Sequence, residues 1–540
     1  MTKDLKKIKE IPWWKKGIIY QVYPRSFLDT SGNGIGDING ITKKITYLAD
    51  LGIDALWLSP IFTSPMKDMG YDVSDYTSID PLFGTIQDFE RLIKKAKKNE
   101  IKIIIDQVLS HSSDAHPFFK LSKSSKNNSK SDWYVWANAK PDGSPPNNWL
   151  SVFGGSAWEW DTTRKQYYLH NFLKSQPDFN FHNKAVQKWL LSTVKFWLEK
   201  GVDGFRLDTA NYYFHDKKLR NNPPLQSTFS KINPYYYQNL KHSINQKENF
   251  DFLKELRKLT NKYNETVMIG EISNVELQAK YTSNNDKLHM AYSFDLLREE
   301  FSPNHIKNTV SKFYKETNGG WPTWSFSNHD VKRHLSRWNK LKKNNKKFAR
   351  LTCALLMSLK GTPCIYQGEE LGQTQTKIEF HEITDPPGKK FWPMDFGRDG
   401  CRTPLTWDEN KKFAGFSKSK PWLPIKKEQL MNSAKMQLEN RNSIYHFYKK
   451  FIFQRKKIPY FYEEITFSRN EKVLIFFRGN KKELCSIFNL SEKEIMIKNS
   501  YGKIVSSLPS QNIKSESNRL RLLPYAFGYL SKNDLSEFAN

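Results

Sequence analysis

Three acidic residues stand where apolar runs end: Asp208 in VDGFRLDTAN, Glu271 in VMIGEIS and Asp330 in WSFSNHD. They are far apart in sequence, yet each closes a segment that reads as a β-strand. Carboxylates placed alike on successive strands can converge at one mouth. Two carboxylates in one pocket are the equipment for breaking a glycosidic bond. A rim salt bridge would explain any one of them, but three at matched positions call for chemistry.

Their neighbours sharpen the reading. Side chains alternate along VDGFRLD, so Gly204, Arg206 and Asp208 share a face. Arg206 beside Asp208 predicts a carboxylate of lowered pKa, ionised as a nucleophile must be. Glu271 follows Gly270 at the end of an apolar strand, where desolvation predicts a raised pKa and so a general acid. Asp330 follows His329, a ring able to donate to sugar hydroxyls.

A second polar group lies in DTSGNGIGD, residues 29–37. Asp29, Ser31, Asn33 and Asp37 offer oxygen ligands, with the Ile35 carbonyl available and Gly34 at the sharp turn. That spacing predicts a divalent-cation loop, since hard cations take oxygen donors. The ion would be a structural Ca²⁺ or Mg²⁺ away from the chemistry, and no catalytic cofactor is expected.

The carboxylates can meet only if a fold brings the strand ends together. Eight strand-like runs occur at residues 18–23, 53–58, 101–108, 202–207, 266–271, 288–294, 323–327 and 362–366. They are apolar without strict alternation, as in parallel strands covered on both faces. Helical periods lie between them: Ile41, Ile45, Leu48 and Leu51 share one face, as do Leu190, Val194, Trp197 and Leu198. The run 348–361 also reads as a helix, with Gly361 at its C-terminus. Eight β-then-α units predict an α/β fold of the (β/α)₈ TIM barrel type, with its active site at the strand C-terminal ends. Residues 1–110 and 178–458 form this barrel, and an inserted domain of residues 111–177 follows strand three. A further irregular insertion spans about 373–440, and residues 459–540 predict a small antiparallel β-sandwich.

The motifs now resemble a known family, the α-amylase superfamily of retaining α-glucoside-active barrels (glycoside hydrolase family 13), in its α-glucosidase and oligo-1,6-glucosidase branch. GIIYQVYPRSF is similar to its first-strand signature and DQVLSH to its strand-three motif. GFRLDTAN, GEIS and SNHD resemble its three carboxylate motifs, and QPDFNF and GTPCIYQGEELG match further segments. The resemblance covers essentially the whole chain. It implies Asp208 as nucleophile, Glu271 as general acid/base, and Asp330 as the carboxylate that binds ring hydroxyls and supports the distorted transition state. It also implies Asp68 and Tyr71 of DMGYD as clamp and stacking ring for the terminal glucose, with His111, Arg206 and His329 around it. Arg402 in GCRTPLTW is implied to pair with Asp68 and close the pocket, giving exo action, and Phe172 to line it. Thr209, directly after the nucleophile, is implied to favour α-1,4 over α-1,6 linkages. In the family's cation loop, Asn usually stands at Ser31 and Asp at Asn33, so fewer charges here imply weaker affinity.

Composition excludes other classes. The chain has 540 residues with 14% aromatics, too many for disorder. Its net charge of +29 comes from lysines scattered along polar faces, without a nucleic-acid motif. Four cysteines (Cys353, Cys364, Cys401, Cys485) form neither a metal spacing nor a disulfide framework. No long apolar span or leader-like h-region occurs, so a cytoplasmic enzyme, monomeric or homodimeric, is expected, with no nucleic-acid or membrane partner. Its partner is then a small α-glucoside. The expected reaction is release of terminal, α-1,4-linked glucose from maltose and short α-glucosides through a covalent intermediate. Glucosyl transfer or isomerisation by the same intermediate is the alternative, as is oligo-1,6-glucosidase action. A transporter-subunit ectodomain that has lost its catalytic residues conflicts with the intact triad.

Overall fold

The structure is a computed structural model that describes residues 10–226, 232–339 and 345–532. Eight parallel strands form its centre: β1 (Ile19–Val22), β2 (Ala55–Leu58), β3 (Lys102–Gln107), β4 (Gly204–Leu207), β5 (Val267–Ile272), β6 (Met290–Ser293), β7 (Thr323–Trp324) and β8 (Thr362–Tyr366). Each pairs in parallel with its chain neighbour from β1 to β6, while β8 pairs with both β7 and β1. A single parallel bridge, Ala291 to Pro322, closes the ring between β6 and β7. Seven of the eight predicted runs contain their strand, and the fifth stops one residue short of the end of β5 at Ile272.

Strand alternation explains both cores. Tyr20, Leu56, Ile103, Ile105, Phe205, Leu207, Met268 and Ile272 face outward into the main cluster, against helix side chains such as Ile41, Leu48, Leu190 and Trp197. Ile19, Ala55, Ile104, Ile269 and Met290 face inward and pack with one another. Two residues further along the same strands come Gln21, Trp57, Asp106, Glu271 and Tyr292, and in β4 Arg206 follows Gly204 in the same way. The barrel is therefore apolar below and polar above, and its polar layer is the floor of the mouth. Gly204 is required where it stands, because a Cβ there would lie 2.5 Å from the Val267 carbonyl of β5.

The insertion after β3 carries the helix Pro117–Ser124 and a small antiparallel sheet of Trp136–Ala137, Trp158–Asp161 and Gln166–Leu169. The insertion after β8 contributes short helices, among them Pro386–Phe391 and Asp399–Arg402. Lys390 Nζ donates to the Gly154 carbonyl at 2.6 Å, so the two insertions touch across the mouth. The C-terminal region is a single seven-stranded antiparallel sheet built around the long strand Arg519–Ser531, which pairs with four others. The helix at 345–358 ends before Gly361. All four cysteines are buried and free.

Candidate active site

Arg206 organises the floor. Its side chain has no solvent exposure, and it donates to Asp106 at 2.8 Å and to Asp208 at 2.7 Å through Nη1. Through Nη2 it reaches Glu271 at 2.7 Å and the Tyr292 hydroxyl at 2.7 Å. Register makes this possible. Arg206 sits opposite Asp106 on β3, and Glu271 on β5 sits opposite Tyr292 on β6.

This corrects the expectation that Arg206 separates the two catalytic carboxylates. It is ion-paired with both, at 2.7 Å each, and Asp208 is not held below the usual carboxylate range. Burial, with Asp106 and Asp330 close by, pushes Asp208 up to about 7 despite Arg206. Burial, with Asp208 and Asp330 adding to it, likewise raises Glu271 to about 7, as desolvation predicted. Asp106 is raised to about 6 by burial, with Arg206 opposing. One guanidinium faces three carboxylates, so near neutral pH the cluster retains a proton shared by coupled groups. One ionised and one protonated carboxyl is the state that double displacement starts from.

Asp330 differs. Burial would raise it, but His329, Arg398, Arg402 and Arg206 outweigh burial and hold it well below the ordinary range. His329 is itself neutral at pH 7, since burial lowers it to about 3, so the arginines supply the standing charge. The His329 ring stacks on Tyr71 at 5.4 Å with planes 3° apart, and its Nε2 lies 2.5 Å from the Tyr71 hydroxyl. That hydroxyl also donates to Asp106 at 3.1 Å.

The back wall also departs from expectation. Arg398, not Arg402, donates to Asp68 at 2.8 Å. Arg398 further reaches Asp330 at 3.2 Å and Asp385 at 2.7 Å. Arg402 instead binds Asp330 at 3.0 Å and the His329 carbonyl at 2.7 Å. The cause is the short helix Asp399–Arg402, which turns Arg402 toward the barrel axis and leaves Arg398, at its start, on the Asp68 side. Gln176 completes the wall: the Leu173 amide fixes its Oε1 at 3.0 Å, and its Nε2 meets Asp68 and His111, each at 3.1 Å. Phe172 lines the same side, 5.2 Å from His111 and 5.7 Å from Tyr212.

Thr209 occupies the left-handed region at φ 40°. For a β-branched residue that is a strained position, costing about 1–3 kcal/mol. The strain aims its amide at Glu271, 3.0 Å away, and its hydroxyl at Asp208, 3.3 Å away.

Every carboxylate, histidine and ring expected at the mouth is there. Asp106, Gln176, Tyr292, Asp385 and Arg398 join them. Asp106 and Gln176 lay within motifs already noted, and a period-two count along β3 would have found Asp106. Arg398 and Asp385 lie in an irregular insertion and carried no such signal.

The 29–37 loop does not fit the predicted cation. Asp29 accepts from Ser31, from the Gly32 and Gly34 amides and from Ser417, which fills both its oxygens. Asp37 accepts from the Thr30, Ser31 and Gly40 amides and from the Thr30 hydroxyl, which fills both of its own. Asn33 Oδ1 accepts from the Ile35 amide. An ion would have to displace these donors. Among the described residues no group of three or more His, Cys, Asp or Glu side chains could hold a metal.

A family model for the alpha-amylase catalytic domain matches residues 21–464. The chain belongs to the alpha-amylase family. A probable alpha-glucosidase of Rhizobium meliloti is 48% identical to this family member over 496 residues, covering 89% of this chain and 90% of its own. An oligo-1,6-glucosidase of Heyndrickxia coagulans is 36% identical, covering 89% and 93%. Among solved structures, an alpha-glucosyl transfer enzyme is 44% identical with a TM-score of 0.92, covering 96% and 99%. The trehalulose synthase of Pseudomonas mesoacidophila MX-45 is 30% identical with a TM-score of 0.86, covering 96% and 99%. The alpha-amylase fold is thus shared by hydrolases and by enzymes that move glucose to another sugar.

Proposed function

We propose that this alpha-amylase family member is a retaining, exo-acting α-glucosidase that removes terminal, α-1,4-linked glucose from maltose and short α-glucosides. One observation carries the reading: Asp208 and Glu271 dock on adjacent nitrogens of Arg206, with Asp330 beside them. Two carboxylates held on one guanidinium share one small site, the arrangement in which one can attack while the other gives a proton.

Asp208 attacks the anomeric carbon while Glu271 gives its proton to the glycosidic oxygen, and the aglycone leaves. Glu271, now ionised, takes a proton from water, which displaces Asp208 from the same carbon and releases α-glucose. Asp330, kept ionised by Arg398 and Arg402, binds ring hydroxyls and favours the positive charge that develops on the ring. Asp68, held by Arg398 and Gln176, blocks the back of the pocket, so only a chain end enters. We place the enzyme in the cytoplasm, as a monomer or homodimer. Its free, buried thiols fit a reducing compartment, and among the described residues no helix is long and apolar enough to cross a membrane.

The test is to trap the intermediate with a slow fluorinated glucosyl donor and locate the label by mass spectrometry. Glucose on Asp208 supports the reading, and an unlabelled Asp208 in an inactivated enzyme sinks it. A second reading, net glucosyl transfer, is favoured by the likeness to the transfer enzyme. Product analysis with maltose, isomaltose and sucrose separates the two, since transfer yields new oligosaccharides and hydrolysis yields glucose.

A further inference from the structure

A chain of polar contacts at the mouth has no part in the steps above. His111 Nδ1 lies 2.9 Å from Ser110 Oγ. Ser110 Oγ lies 3.0 Å from Thr209 Oγ1, and Thr209 Oγ1 lies 3.3 Å from Asp208 Oδ2. Arg206 occupies the other oxygen of Asp208, so the chain ends on the one left free to attack.

Each contact holds one hydrogen, and each hydroxyl owns one. All three contacts are filled together only when every hydrogen points the same way along the chain. In one filling, His111 donates from Nδ1 to Ser110, Ser110 to Thr209, and Thr209 to an ionised Asp208. In the other, a protonated Asp208 donates to Thr209, Thr209 to Ser110, and Ser110 to a bare Nδ1. The His111 hydrogen then sits on Nε2. Between the two the hydroxyls only rotate and the imidazole keeps one hydrogen throughout. The single proton gained is the one on Asp208.

His111 is equipped for both fillings. Its Nε2 is 3.0 Å from the Tyr71 carbonyl, a pure acceptor, and 3.1 Å from Gln176 Nε2, a pure donor. Burial lowers its pKa to about 4, so at working pH the ring is neutral and its tautomer is the free variable.

We propose that Ser110 and Thr209 are positioning residues that link the tautomer of His111 to the charge on Asp208, holding the attacking oxygen while it is ionised. This rests on the glucosidase reading with Asp208 as nucleophile. Arg206, Asp106, Glu271 and Asp330 also face Asp208, and Tyr71 and Gln176 face His111. They set the absolute pH of the transition and are unchanged in the variants below.

The experiment combines pH profiles of kcat/KM with ¹⁵N NMR of histidine-labelled enzyme, the His111 signal being assigned by its loss in His111→Asn. In the wild type the His111 nitrogens exchange donor and acceptor shifts across the acid limb. Thr209→Val removes the donor to ionised Asp208 and moves that limb to higher pH by about one unit, about tenfold in activity below it. Thr209→Ser restores the limb. Ser110→Ala leaves the limb in place but makes the His111 shifts independent of pH, and it serves alone if Thr209→Val does not fold. A pH-invariant His111 signal in the wild type overturns the relay. So does an unmoved limb in Thr209→Val, or a Ser110→Ala enzyme whose His111 still follows pH. Asp208→Asn separates the two levels: an active variant removes the glucosidase reading. An inactive one combined with an unmoved limb in Thr209→Val removes the relay alone.

Discussion

Asp208 and Glu271 each lie 2.7 Å from a terminal nitrogen of the same guanidinium, that of Arg206. The two groups that must hold opposite protonation states are therefore not separated by their cationic neighbour. They share it, and with it one proton. Burial raises both to about 7, and what distinguishes them in the structure is position, Asp208 just past the end of β4 and Glu271 within β5.

Glu271→Gln should abolish hydrolysis of maltose while sparing aryl glucosides with good leaving groups, which need little acid assistance. Steady-state rates on maltose and on nitrophenyl glucoside check this. An equal loss on both substrates would remove Glu271 from the acid role.

Asp106→Asn removes a negative charge that raises Asp208. The pKa of Asp208 should fall, so the acid limb of kcat/KM should move to lower pH, read from the pH profile on an activated substrate. A limb that moves upward would mean Asp106 acts mainly by holding Arg206 in place.

Stability should follow pH in the sense set by raised carboxyls. Folded pKa values near 7 exceed the ordinary value near 4, so this contribution is fully present below about pH 4 and is lost as pH rises through about 7. Glu271→Gln removes one such buried group and should raise Tm at pH 8 by about 2 °C while leaving it closer to wild type at pH 5. Thermal melts at the two pH values test the sign.

Arg398→Ala leaves Asp68 and Asp385 buried without their main cation, a loss of about 3–5 kcal/mol for a broken buried pair. It should lower Tm and reduce kcat/KM by about a hundredfold or more. Arg402→Ala should leave the Asp68 contact intact and act through Asp330. Melting curves and kinetics for both variants would show whether Arg398 or Arg402 is the partner of Asp68 in solution.

Chelation should leave Tm unchanged, because Asp29 and Asp37 spend their oxygens on donors of the loop, of Ser417 and of Gly40. Asp37→Ala should lower stability by about 1 kcal/mol, since Asp37 also caps the helix Ile38–Lys43 through the Gly40 amide. A Tm that falls with EDTA and recovers with Ca²⁺ would restore the cation site.

The sequence by itself determined which way each strand residue faces, because that depends only on a local period of two. From it came the eight strands, the inward Arg206, and Asp208, Glu271 and Asp330 at one mouth. Burial of Glu271 followed from the same apolar runs. Only the tertiary structure decided who pairs with whom. Arg206 reaches Glu271 because β4 and β5 lie side by side in a particular register, and Arg398 meets Asp68 because the loop after β2 and the insertion after β8 fold over the same barrel end, though the two residues are 330 apart in sequence. The 29–37 loop makes the same point: its oxygens are a cation's ligands by type and spacing, but backbone amides and the hydroxyls of Thr30, Ser31 and the distant Ser417 occupy them.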